Sequence, residues 1–246
     1  MKKLLFILSA FLIVFIPSTR AQNTTLEIGA TINYASLDWF KKGNTFFFTT
    51  RDETGQVLDQ NKKKIIYVKI QDESTTSLIE FSSKTKFTFT WIGTSEKLWM
   101  DFGTEITRIV KNNIPDLKFS PKNEVPNKDN GMYSIPLYLA VGLQLGDANF
   151  QLLGTLDDKE VKILTTLTQR KIVGREELKT SAGKFDCFKI SSLSTTTIDT
   201  NGKIKNLMKP TLEYFWFDVH SGLIKQESHN LRDKLITISY LTEIKK

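Results

Sequence analysis

The residues of this 246-residue sequence that could do chemistry are few: two His, one Cys and scattered carboxylates. His is the usual general base near neutral pH. His220 falls in the turn Val219-His220-Ser221-Gly222, and His229 ends the strand that follows. With Asp218 and Glu227 they would form a metal-ligand set, because Asp218 and His220 are two apart and can share a face. A strand rises about 3.3 Å per residue, however, which holds the two imidazoles more than ~20 Å apart, too far for one ion. Cys187 lies in Asp186-Cys187-Phe188, a strand-like run without His, and reads as a small buried hydrophobe. Its thiol is expected to be neutral and slow to react. As the single cysteine it cannot form an intramolecular disulfide. The sequence has no Gly-x-Ser-x-Gly elbow, no Gly-rich loop opening a helix and no Gly-Lys-Ser/Thr.

The charged runs are equally plain. Asp72-Glu73, Asp157-Asp158 and Glu176-Glu177 are adjacent residues, which point to opposite faces of a strand and read as solvated turn charges. Carboxylates brought together from distant strands leave a hydrolase open as the least favoured reading. Lys62-Lys63-Lys64 reads as a solvated edge that discourages strand pairing. No catalytic residue, cofactor site or metal site is assigned.

What stands out is the aromatic content: 17 Phe, 6 Tyr and 4 Trp. Phe87, Phe89 and Trp91 share one face of an alternating strand, while Tyr214-Phe215-Trp216-Phe217 and Phe46-Phe47-Phe48 place rings on both faces of theirs. Either both faces are covered, or one lines an apolar cavity. The candidate lining residues are Phe87, Phe89, Trp91, Tyr214 and Trp216. The expected occupant is a lipid or other apolar ligand.

The elements that must position these rings are strands. Lys86–Trp91, Ile66–Ile70 and Ile236–Tyr240 alternate with period two, and Thr fills the positions that should face solvent. Turn chemistry separates the runs at Asp52–Gln56, Ser181–Lys184, Asp199–Lys203 with its Asn-Gly, Val219–Gly222 and Asn230–Asp233. The result is two antiparallel meanders, about 45–102 and about 161–244. Between them we expect a strand over 97–102, one short helix over 104–111, a proline-punctuated loop from Ile114 through Pro126, and a buried extended or irregular segment over Ser134–Leu145. The fold class is mainly β: a curved sheet or incomplete barrel with at most one or two short helices.

The N-terminus sets the compartment. Met1-Lys2-Lys3, an apolar run from Leu4 to Ile16, Pro17-Ser18 and Thr19-Arg20-Ala21 have the layout of a signal peptide cleaved after Ala21. Residues 22–246 then form one β-rich domain, exported to the periplasm or beyond a bacterial cell, with no transmembrane span after cleavage. No Cys follows the apolar run, so a lipoprotein is not expected. The formal charge of +7 includes Lys2, Lys3 and Arg20 of the leader; the remainder is too weakly basic to indicate nucleic acid.

Several motifs carry a family resemblance. Val173-Gly174-Arg175-Glu176-Glu177-Leu178-Lys179-Thr180-Ser181-Ala182-Gly183-Lys184-Phe185-Asp186-Cys187-Phe188-Lys189-Ile190 resembles a segment of the exported TapB-like family of unknown function. Trp216–Lys225 is similar to that family's aromatic strand, turn and Gly-Leu-Val-Lys segment. Gly43–Gln56, Leu98–Phe102 and the stretch from Pro136 through Gly146-Asp147 fit in order. Ser181 replaces a common Pro, and Gly146-Asp147 lacks the usual following Leu-Pro, both at turns. The resemblance implies a partly open β-barrel related in outline to lipoprotein carriers, without catalytic residues. A non-enzymatic protein binding an apolar or amphiphilic ligand is the leading expectation. A module pairing with an envelope protein through a strand edge is the alternative.

Overall fold

Alternating apolar and polar residues make strands, and the structure, a computed structural model describing residues 29–120 and 129–246, consists mostly of them. The leader Met1–Ala21, Pro121 and Pro126 lie outside the described residues. The N-terminal part contains β1 (Ala30–Thr31), a 3-10 turn (Asp38–Phe40), β2 (Thr45–Asp52), β3 (Val57–Gln71), β4 (Ser74–Ser82), β5 (Lys86–Thr94) and β6 (Lys97–Asp101). Next come α1 (Gly103–Asn113), β7 (Lys118–Phe119), β8 (Met132–Pro136), β9 (Tyr138–Leu139) and β10 (Ala148–Leu156). The C-terminal part holds β11 (Lys159–Thr180), β12 (Gly183–Thr200), β13 (Lys203–Asn206), β14 (Thr211–Asp218), β15 (Gly222–His229) and β16 (Leu235–Lys245).

Among the described residues, fourteen strands form one sheet in the order β7, β10, β11, β12, β14, β15, β16, β2, β3, β4, β5, β6, β8, with β13 beside β12; β1 and β9 pair separately. The two meanders are thus joined side by side through β16 and β2. The sheet curls until its ends approach: Gly131 N–H donates to Asn149 O at 2.9 Å, and Gln151 N–H donates to Asn130 Oδ1 at 2.9 Å. It remains a strongly curved, open antiparallel sheet.

Turn chemistry closes the hairpins as the residues require. Asn201 (φ 54°) and Gly202 (φ 79°) are both left-handed, the type I′ geometry whose twist matches the flanking strands. The helix begins one residue before the expected span and ends two after it. Asp101 holds its start, accepting from Thr104 N–H at 3.0 Å and from Thr104 Oγ1 at 2.7 Å. One face of α1 buries Val110 in a small core with Leu117, Phe150, Leu152, Val161 and Ile163.

Three local readings need correction. Lys62-Lys63-Lys64 does not edge the sheet, because β3 pairs with β2 and β4 on its two sides there. The two-residue period turns Lys62 and Lys64 outward and Lys63 inward with Asn61. On β16 the polar residues Thr237 and Ser239 face the interior, whereas Ile236 is 40% exposed. Glu176 is more than a solvated turn charge, since it accepts a hydrogen bond from Trp216 Nε1 at 2.5 Å. The Ser134–Leu145 segment divides: its start lies in β8, paired with β6, and Tyr138-Leu139 pairs with β1. Buried Arg170 fastens this region, donating to Ser134 O at 3.0 Å and to Gly146 O at 2.5 Å.

Candidate functional site

The concave face is filled at one end and hollow at the other. The filled end is made by residues 30–40, which no periodicity marks. The 3-10 turn drives Trp39 between Phe46 and Trp91, with ring centroids 4.3 Å apart on each side and interplanar angles of 8° and 13°. Trp39 Nε1 donates to Ser221 O at 2.8 Å, and Asp38 N–H donates to His220 O at 3.0 Å. The ring is fully buried. Gly222 leaves room for it: φ is +77°, and a Cβ there would lie 2.4 Å from Trp39 Cδ1.

Beyond the plug the sheet and α1 border a half-open cavity of about 590 Å³. Phe87, Phe89 and Trp91 line it together with Phe81 and Phe215. Burial falls along β5, from Trp91 at 3% exposed to the half-buried Phe89 and Phe87. Phe87 stacks on Phe81 with centroids 4.5 Å apart. Facing this aromatic wall is a polar one from β2, β12 and β14 to β16, including Thr50, Thr196, Glu213, Ser228 and Ser239. Ile106 and Ile109 of α1 also line the space, and Arg108 reaches over the Phe87 ring at 5.8 Å while pairing with Glu105.

Tyr214 and Trp216 do not line the cavity. The alternation of β14 sends Thr211, Glu213 and Phe215 inward, and Tyr214 and Trp216 to the opposite face. There Lys189 lies over both rings, at 4.3 Å and 4.8 Å, and Lys225 lies over Trp216 at 4.1 Å. His229 belongs to this outer cluster, with Nε2 2.9 Å from Glu227 Oε2 and Nδ1 3.1 Å from Asp233 O. Burial alone would lower its pKa, but the bonds to Glu227 and Asp233 raise it above the ordinary value. Among the described residues no group of three or more His, Cys, Asp or Glu is placed to hold a metal ion.

The polar groups that sequence reasoning missed lie inside. Lys63 is half-buried, with Nζ 4.6 Å from the Phe48 centroid and 5.9 Å from those of Phe89 and Trp39. Desolvation lowers its pKa to about 8, against the opposing pull of Glu105. Asn61 Nδ2 donates to Asp59 Oδ2 at 3.2 Å, which orients the amide so that its buried Oδ1 has no hydrogen-bond partner among the described residues. Glu213 accepts from Thr211 Oγ1 and Ser228 Oγ, each at 2.7 Å, yet burial outweighs these bonds and raises its pKa. The signal for Lys63 was present in Asn61-Lys62-Lys63-Lys64-Ile65, where buried Ile65 shares its face with Asn61 and Lys63.

Cys187 is fully buried on β12. Burial, and then the negative charges of Asp218, Asp186 and Glu176, push its thiol pKa far above the usual range. Among the described residues no helix is long and apolar enough to cross a membrane.

Two solved structures share this architecture. One, from Bacteroides fragilis, is designated an exported protein with a YmcC-like fold; it is 15% identical, with TM-score 0.61 over 84% of this chain and 97% of that one. The other, from Parabacteroides distasonis, is designated a lipoprotein; it is 13% identical, with TM-score 0.59 over 88% and 99%. At these identities the likeness is one of fold. No curated protein matches the sequence. The DUF3108-like family matches residues 41–241, a span that runs from the foot of the Trp39 plug to the last buried residue of β16. The chain belongs to the DUF3108-like family.

Proposed function

We propose that this is an exported, non-enzymatic protein that holds one amphiphilic molecule in the concavity of its sheet. The observation that carries this reading is the cavity of about 590 Å³ with an aromatic wall on one side and a hydroxyl-rich wall on the other. Cavities of ~300–1,000 Å³ take a single small ligand, and an interior meant only to be packed would not turn Thr237 and Ser239 inward. The motifs that resemble the TapB-like family and the leader layout support export. Native mass spectrometry of the protein isolated from its own cells tests the reading. A single added mass in the amphiphile range, extractable into organic solvent, is expected. A bare chain that also fails to take up a neutral naphthylamine probe overturns it.

One observation favours assembly through a strand edge. Past Lys64, β3 keeps β4 on one side but has no β2 residue opposite, and Tyr67 and Ile70 there are 50% and 80% exposed. Cross-linking from position 70 in intact cells would yield a discrete adduct on this reading and none otherwise.

A further inference from the structure

The cavity reading leaves the chemistry of the ligand's head unspecified, and two interior side chains address it. Lys63 and Asn61 are two residues apart on β3 and line the same space. Among the described residues, no carboxylate lies within ion-pairing distance of Lys63 Nζ, and its neighbours are the rings of Phe48, Phe89 and Trp39. A cation held among rings is only partly compensated for the water it has lost. Asn61 Oδ1, beside it, is an acceptor that lacks a donor among the described residues. Both deficits would be met by one group: an oxyanion that takes the ammonium, with a hydroxyl near it that donates to the amide oxygen. The other charged groups facing the space are Asp59 on β3, Asp101, Glu105 and Arg108 at α1, Lys209 on the rim and Glu213 on β14. Most of these are already engaged: Glu105 pairs with Arg108, Asp59 accepts from Asn61 and Ser83, Asp101 from Thr104, and Glu213 from Thr211 and Ser228.

We infer that the occupant is a single-chain amphiphile with an oxyanion head, the head seated on Lys63 and Asn61 and the chain lying along Phe81, Phe87 and Phe89. This rests on the cavity reading above. The volume matches the scale of one chain. The head chemistry is shared by carboxylates and phosphate monoesters.

The test is calorimetric or fluorimetric titration of the full exported chain with dodecanoate, dodecyl phosphate and dodecanol, each below its aggregation limit. At about pH 7 one of the two anions should bind at least about tenfold more tightly than the alcohol. That advantage should disappear in Lys63→Met, and in the unmodified protein at about pH 9.5, where an amine with a pKa of about 8 has lost its proton. Dodecanol affinity should change in neither case. Whichever anion binds more tightly identifies the head as carboxylate or phosphate, and a 3-hydroxy acid stronger than dodecanoate supports the role of Asn61. Equal affinity for all three ligands overturns the head assignment and leaves the cavity reading standing. Binding by none of them overturns both.

Discussion

The two ends of the concavity are built on the same strands and differ in what is laid against them. At the plugged end, Trp91 meets Trp39 and is 3% exposed; two and four residues earlier on the same face of β5, Phe89 and Phe87 border empty space. A curved sheet does not decide by itself whether its inner face becomes a core or a container. Here the decision lies with a short N-terminal segment that fills one end and stops. The plug also fixes its own surroundings, through the bond from Trp39 to Ser221 and the space left by Gly222. At the hollow end β16 and β15 present hydroxyls inward, so collapse onto an apolar filling is not favoured there.

The comparison can be broken at its strongest point first. Trp39→Ala removes the ring that joins Phe46 to Trp91 and should cost ~3–5 kcal/mol in denaturant unfolding. A loss below about 1 kcal/mol would mean the plugged end is not a core. Gly222→Ala should cost roughly 3 kcal/mol, because the new methyl meets the Trp39 ring on a left-handed backbone. Gly183→Val is its control: φ is +142° but the nearest side-chain atom is 3.7 Å away, so only backbone strain of roughly 1–3 kcal/mol applies.

The next pair sets the two ends against each other. Phe87→Ala deletes a whole ring at the hollow end, yet it should cost only about 1 kcal/mol, because the void it would create is already there. Its effect should appear instead as a loss of about tenfold or more in affinity for the dodecyl ligands. Cys187→Ala deletes one sulfur from the packed region and should also cost roughly 1 kcal/mol, with ligand binding unchanged. Thiol labelling of the native protein should be slow beside that of denatured protein, since the group is both buried and held protonated. Rapid native labelling would show that the packed region opens.

Much of this was readable in the residues. The alternation of Phe87, Phe89 and Trp91, the Asn-Gly turn and the helix after Phe102 are local signals, and local geometry fulfils them. What was not legible depends on partners distant in sequence. Trp39 lies in a stretch without period, and its role comes from Phe46, Trp91 and Ser221. Lys63 and Thr237 obey the two-residue period but invert its usual polarity, because their inner face borders a cavity. Tyr214 and Trp216 were paired with the wrong face for the opposite reason: two lysines cover them outside as rings would inside. Alternation shows that two faces exist; it does not show which is inner.

The seam between β16 and β2 has a consequence for how the chain folds. Thr45 stands opposite Lys245, and Thr242 Oγ1 donates to Phe47 O across 195 residues of sequence. Strand β2 therefore waits for β16 before the hydrogen bonds of its outer edge are satisfied. Each meander can form by hairpin steps, but joining them closes a loop of nearly the whole chain, a non-local contact of the kind that makes folding slow. A chain emerging N-terminus first would carry an unpaired β2 edge until β16 arrives. That waiting edge is the aggregation-prone stage of its synthesis, and the one that a holding chaperone would have to cover.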